Sequence, residues 1–209
     1  MKKWKLTSLS ALAIALVMML AWAGESRAEV ETDKPAPDFS FTDIEGASGK
    51  LSDFKGKVVV LEWFNHGCPF VRKHYDSNKM QSLQRKYTEK DVVWIAINST
   101  GEGYQDYRNA EESVRDVDSN GTSATYVVLD PEGKIGTLYG AKTTPHIFII
   151  NKDGMLVYQG AADDIKSTDV ADIEKADNYI DAALTEVLAG KPVSVPETKS
   201  YGCSVKYKR

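Results

Sequence analysis

Cysteine is scarce in this 209-residue chain: only Cys68 and Cys203 are present, 135 positions apart. Two thiols are too few for a disulfide-stapled framework and offer no matched spacing for a metal centre, which leaves a single disulfide or a working redox thiol. Histidine is nearly as rare, with His66, His74 and His146 the complete set. An uninterrupted apolar run of the ~20 residues that span a bilayer is lacking, and so are internal repeats and low-complexity segments. Past residue 28 basic residues are outnumbered, 22 against 29 acidic, a net charge of −7. That balance speaks against nucleic acid and anionic membrane surfaces as partners.

What is present begins with an export signal. Lys2, Lys3 and Lys5 form a basic head, residues 9–23 an apolar core, and Ser26-Arg27-Ala28 a cleavage site. The chain is expected to divide into a signal peptide (1–28), a folded domain (29–190) and an extended C-terminal tail (191–209) carrying Cys203. The expected location is exported, in a bacterial periplasm, with no membrane attachment after cleavage. The 181 residues that remain suffice for one domain with a real core.

After a polar leader (29–38), apolar residues come in blocks at 57–64 (KVVVLEWF), 91–98 (DVVWIAIN), 125–129 (TYVVL), 146–151 (HIFIIN) and 155–159 (MLVYQ). Such near-continuous Val/Ile runs predict strands buried on both faces. Helical spacing lies between them at 69–87, 104–117 and 172–188. Asp76-Ser77-Asn78 interrupts the first of these, so a break and a second helix from about Lys79 are expected. Asn151-Lys152-Asp153-Gly154 is a tight-turn sequence that makes the last two strands an antiparallel hairpin. The fold class is therefore α/β, a central mixed β-sheet flanked by helices. The tail contains Pro192, Pro196 and Gly202 and has no helical period. From Lys191 it can span up to roughly 40 Å, so Cys203 can reach Cys68.

Cys68 sits where the first strong strand passes through Asn65-His66-Gly67 into Pro69 at a helix start. A thiol there faces unpaired backbone N–H groups and the positive end of the helix dipole, which favour the reactive thiolate. Arg72, one helical turn on, and Lys73 add positive charge; Arg72 is a candidate for orienting a substrate, while a solvated helix face is expected for Lys73. His66 and His146 are candidates for stabilising the thiolate or moving a proton, against solvated loop histidines as the plain alternative. His74 is rotated away from Cys68. Asp163 and Asp164 are expected in a turn or helix cap.

The order LEWFNHGCPFV, then TTPHIFII, then NKDGMLVYQG resembles the thioredoxin-like superfamily, and most closely its peroxiredoxin-like branch of redoxin-domain proteins, over residues 35–188. The resemblance implies a thioredoxin-like fold, Cys68 as nucleophile, and Thr144-Pro145 as the cis-proline segment beside it, with backbone groups able to pair with an extended disulfide substrate. Val71 stands where thioredoxins carry their second cysteine, so Cys203 is left as the candidate resolving thiol. Leu61 and Asn65 stand at the peroxidatic proline and hydroxyl positions, which argues against efficient peroxide reduction.

The leading expectation is an exported thiol oxidoreductase that works by thiol–disulfide exchange, without cofactor or metal. Its partners would be a protein disulfide or thiol, or a peroxide, and a thiol electron donor. The alternatives are peroxide reduction, a Cys/His metal-binding module built on Cys68, His66 and His146, and a scaffold pinned by a permanent Cys68–Cys203 disulfide. The sequence leaves the oligomeric state open.

Overall fold

A computed structural model of the chain describes residues 30–208; the expected signal peptide lies outside the described residues. A short hairpin, β1 (Ser40–Thr42) and β2 (Ser48–Lys50), leads into β3 (Val59–Trp63). Helices α1 (Pro69–Asp76) and α2 (Lys79–Thr88) follow, then β4 (Val93–Asn98), α3 (Ala110–Asn120), β5 (Tyr126–Leu129) and α4 (Lys134–Tyr139). The chain continues through β6 (Thr143–Thr144), β7 (His146–Ile150), β8 (Leu156–Gly160), α5 (Tyr179–Leu188) and β9 (Cys203–Ser204).

The five-stranded sheet has the order β5-β4-β3-β7-β8. β3, β4 and β5 are parallel, whereas β7 runs antiparallel to β3 and β8 antiparallel to β7. The Asn151–Gly154 turn returns β8 against β7: Asn151 Oδ1 accepts from Asp153 N and Met155 N, each at 3.0 Å.

Alternation along β3 sorts the core into two layers. Val58, Val60 and Phe64 pack with Val71, Tyr75, Met80, Leu83, Ile180 and Leu184 from α1, α2 and α5. Val59, Leu61 and Trp63 pack on the other face with Phe39, Phe41, Ile135 and Tyr139 from the N-terminal hairpin and α4. Leu61 and Phe148 are fully buried, each contributing roughly 1.5–3 kcal/mol.

One expected boundary is found and two are shifted. The break after α1 falls at Asn78, which takes a left-handed φ of 59°, as the Asp76-Ser77-Asn78 interruption predicts. The helix expected from residue 104 starts instead at Ala110, because Asn109 and Glu112 cap each other's backbone N–H. The helix expected from residue 172 starts at Tyr179, where Asn178 Oδ1 accepts from Asp181 N at 2.8 Å. The β1–β2 hairpin and α4 were not expected, being too short for a clear period.

The tail is extended, and it is also paired. Gln159 N donates to Pro196 O and Thr198 N to Gln159 O, both at 3.0 Å, which seats the tail on the β8 edge. β9 then pairs antiparallel with β6, placing Cys203 opposite Thr144 and Ser204 opposite Thr143. Beyond it Gly101 N donates to Lys206 O at 2.7 Å, so the tail crosses the ends of the central strands.

Candidate functional site

Asn65 builds the turn that presents Cys68. Its Oδ1 accepts from Gly67 N at 2.7 Å, its carbonyl accepts from Cys68 N at 3.0 Å, and its Nδ2 donates to Thr100 Oγ1 at 2.7 Å. Cys68 is the N-cap of α1, with Pro69 as the first helical residue. Its side chain does not cap the helix; Sγ donates instead to the Thr144 carbonyl at 3.0 Å, and the residue is 3% exposed. The Thr144–Pro145 peptide is cis.

The second thiol arrives on β9. Cys203 lies opposite Thr144, the acceptor of the Cys68 thiol, and lines the same cavity as Cys68; both are free thiols. Burial, followed by the hydrogen bond and charge of Cys68, pushes the Cys203 thiol up to about 12. A cavity of about 180 Å³ is lined by both cysteines and by polar residues that include Asn65, Thr100, Asp106 and Lys206.

The other expected site residues are placed differently. Arg72 lies at the surface, with Nε and Nη2 both 3.2 Å from Asp76 Oδ2, so its guanidinium serves an exposed i,i+4 pair rather than the thiol. His66 packs against Phe64 and Tyr75, and its Nδ1 accepts from Asn120 Nδ2 at 3.1 Å. Burial lowers its pKa, which keeps the ring neutral, and Nε2 has no hydrogen-bond partner. His146 lies on the Trp63 side of the sheet against Phe148, with Nδ1 accepting from Lys142 N at 3.2 Å. Burial drives its pKa down to about 3. Neither imidazole carries the positive charge that thiolate stabilisation needs. Among the described residues no group of three or more His, Cys, Asp or Glu could share a metal ion, so His66 and His146 do not join Cys68 in a ligand set.

Lys73 is the clearest departure, since it is buried rather than solvated. Its Nζ donates to Asp163 Oδ2 at 2.8 Å and to the Ile165 carbonyl at 2.7 Å, and both side chains of the pair are within 1% of full burial. Asp163 is the turn residue expected, its Oδ1 accepting from Ile165 N at 3.1 Å, and it is in addition the buried ion-pair partner of Lys73. Its Oδ1 also accepts from the Tyr201 hydroxyl, which ties the tail to α1 two residues before Cys203. His74 lies beside this pair, with Nε2 3.8 Å from Asp163 Oδ2, and burial lowers its pKa to about 4.

Glu62, overlooked in the motif reading, sits fully buried in β3. Tyr75 OH donates to its Oε1 at 3.0 Å, while Trp94 Nε1 at 2.8 Å and Gln84 Nε2 at 3.0 Å donate to Oε2. Burial outweighs these three donors and raises its pKa to about 6. The sequence signal was one acid in the apolar run KVVVLEWF. Because the folded pKa lies above the unfolded 4.5, the associated stability is complete below pH 4.5 and is lost as pH rises through 6. At one and a half pH units the loss is roughly 2 kcal/mol. Glu62→Gln should flatten the fall in unfolding free energy between pH 4.5 and 7, measured by urea titration; an unchanged slope would remove this assignment.

A mixed sheet that aims a buried cysteine at a helix start, beside a cis-proline segment, defines the thioredoxin-like class of proteins. The Redoxin family model matches residues 31–177, and the chain belongs to that family. It is 31% identical over 131 residues to thiol-disulfide oxidoreductase ResA of Bacillus thuringiensis subsp. konkukian, covering 63% of this chain and 70% of the relative. An uncharacterized conserved protein from Geobacillus kaustophilus superposes with a TM-score of 0.76 at 28% identity, covering 87% of this chain and 94% of that one. The thioredoxin domain of a thiol-disulfide oxidoreductase from Bacteroides vulgatus shares the fold, with a TM-score of 0.51 at 21% identity over 70% of this chain and 98% of that one.

Proposed function

We propose that the protein is an exported, periplasmic thiol–disulfide oxidoreductase in which Cys68 is the nucleophile and Cys203 the resolving thiol. The observation that carries the reading is that the β6–β9 pair sets Cys203 opposite Thr144, whose carbonyl accepts from the Cys68 thiol, so that residues from opposite ends of the domain line one cavity. Export rests on the basic head and apolar core of residues 1–28.

In the first step the Cys68 thiolate attacks one sulfur of a substrate disulfide, forming a mixed disulfide and releasing a thiolate that takes up a proton. Cys203 then loses its proton and attacks the Cys68 sulfur, expelling the second substrate thiol. The substrate gains two electrons and two protons, and the enzyme is left as the Cys68–Cys203 disulfide, which an external dithiol reduces. The raised pKa of Cys203, due first to burial, suits this order, since the thiol stays protonated while Cys68 makes the first attack. Disulfide exchange is preferred to peroxide reduction because Leu61 is buried in the opposite core layer and Asn65 is committed to the turn.

Cys203→Ser should arrest the reaction after the first step. Incubated with its native compartment, that variant is expected to accumulate mixed disulfides mapping to Cys68 by mass spectrometry. Absence of adducts there, with adducts on other proteins in the same extract, would sink the proposal.

A further inference from the structure

The strand position beside Thr144 is filled by the protein's own tail. Any sulfur exchanging with Cys68 must reach the Sγ that donates to Thr144 O, and the residue opposite Thr144 is Cys203. The flanking tail residues occupy the space around it. Gly202, at φ 141°, lies so close that a Cβ would stand 2.0 Å from Thr144 O, while Ser204 pairs with Thr143 and Val205 N donates to Lys142 O at 3.1 Å. A polypeptide disulfide needs this same space for the residues either side of its cysteine, so tail and polypeptide exclude one another. A small disulfide has no flanking chain. The cavity lined by both cysteines, about 180 Å³, holds roughly six water volumes and lies next to the docked tail.

One anchor stands out as the means of holding the tail closed. Tyr201 is buried, donates to Asp163, and packs its ring edge-on against Phe70 of α1 at 5.9 Å. Asp163 is itself fixed by Lys73 of the same helix. The helix that presents Cys68 therefore also holds the strand that covers it.

We propose that the tail is a size gate on the reaction, an inference that rests on Cys68 being the nucleophile. Low-molecular-weight disulfides exchange with Cys68 while the tail is docked. Polypeptide disulfides exchange only in molecules whose tail has left β6, and the Tyr201–Asp163 hydrogen bond sets that fraction. In each case the thiolate displaces one substrate sulfur, and the leaving thiolate takes the proton.

The test uses the Cys203→Ser protein, so that the adduct stays on Cys68, with hydroxyethyl disulfide as the small probe and a cystine-bridged hairpin peptide as the polypeptide probe. Rates of Cys68 adduct formation are compared with and without Tyr201→Phe. Loss of one hydrogen bond to a buried carboxylate should raise the peptide rate about tenfold or more and the small-probe rate less than about threefold. Gly202→Ala, which forces the tail away from Thr144 by a steric route, should shift the same ratio and serves if Tyr201→Phe folds poorly. A peptide rate that rises no more than the small-probe rate in both variants overturns the gate alone. Failure of both probes to label Cys68 in every variant overturns the nucleophile assignment, and the gate with it.

Discussion

Cys68→Ser is expected to lower disulfide reduction by at least about a thousandfold, since a serine hydroxyl ionises far above neutral pH and cannot form a disulfide. The same substitution should leave the fold intact. A hydroxyl can still donate to the Thr144 carbonyl, Pro69 still starts α1, and the turn is held by Asn65 rather than by the thiol. Activity and melting temperature should therefore separate: turnover of a small disulfide vanishes while the thermal midpoint moves by only a few degrees. Retained turnover would move the chemistry away from Cys68.

The largest effect on stability is expected at Asp163→Ala. Lys73 and Asp163 are shielded from water, and removal of the carboxylate leaves an ammonium with only the Ile165 carbonyl as its acceptor and deprives Tyr201 of its partner. Breaking a buried pair from one side costs about 3–5 kcal/mol, here a fall of roughly 10 °C in melting temperature. Replacing both charges with apolar residues, Lys73→Met with Asp163→Leu, should recover much of that loss, because the uncompensated charge is the main penalty. Thermal and urea denaturation of the single and double variants measures both. A single variant as stable as wild type would show that the pair is not buried as described.

Much of the fold was legible because its elements are long or strongly apolar. The runs KVVVLEWF, DVVWIAIN and HIFIIN became the three central strands, since strands covered on both faces must be apolar throughout. Asn151–Gly154 announced the return strand through turn chemistry alone. Helix starts were less legible, since Tyr104 and Asp172 keep the apolar spacing while the caps at Asn109 and Asn178 decide where the backbone winds.

The site was half legible. Cys68 could be read from its junction, and the reach of Cys203 from chain length. The pairing of β9 with β6 could not, because two-residue strands have no period. The histidines misled because rarity suggested purpose, whereas His66 and His146 are buried, neutral and turned to other partners. Lys73 misled in the opposite sense. A lysine next to Arg72 on a polar-looking helix reads as solvated, and its partner Asp163 lies ninety residues away in sequence. Only tertiary packing brings that pair, and the tail it anchors, under α1.

The most direct measurement is a disulfide map of the wild-type protein after reduction, removal of reductant and addition of one equivalent of a small disulfide. The account predicts that both free thiols disappear, two equivalents of small thiol are released, and the cross-linked peptide joins Cys68 to Cys203. Release of a single equivalent, with the probe still attached to Cys68 and Cys203 free to alkylation, would contradict it.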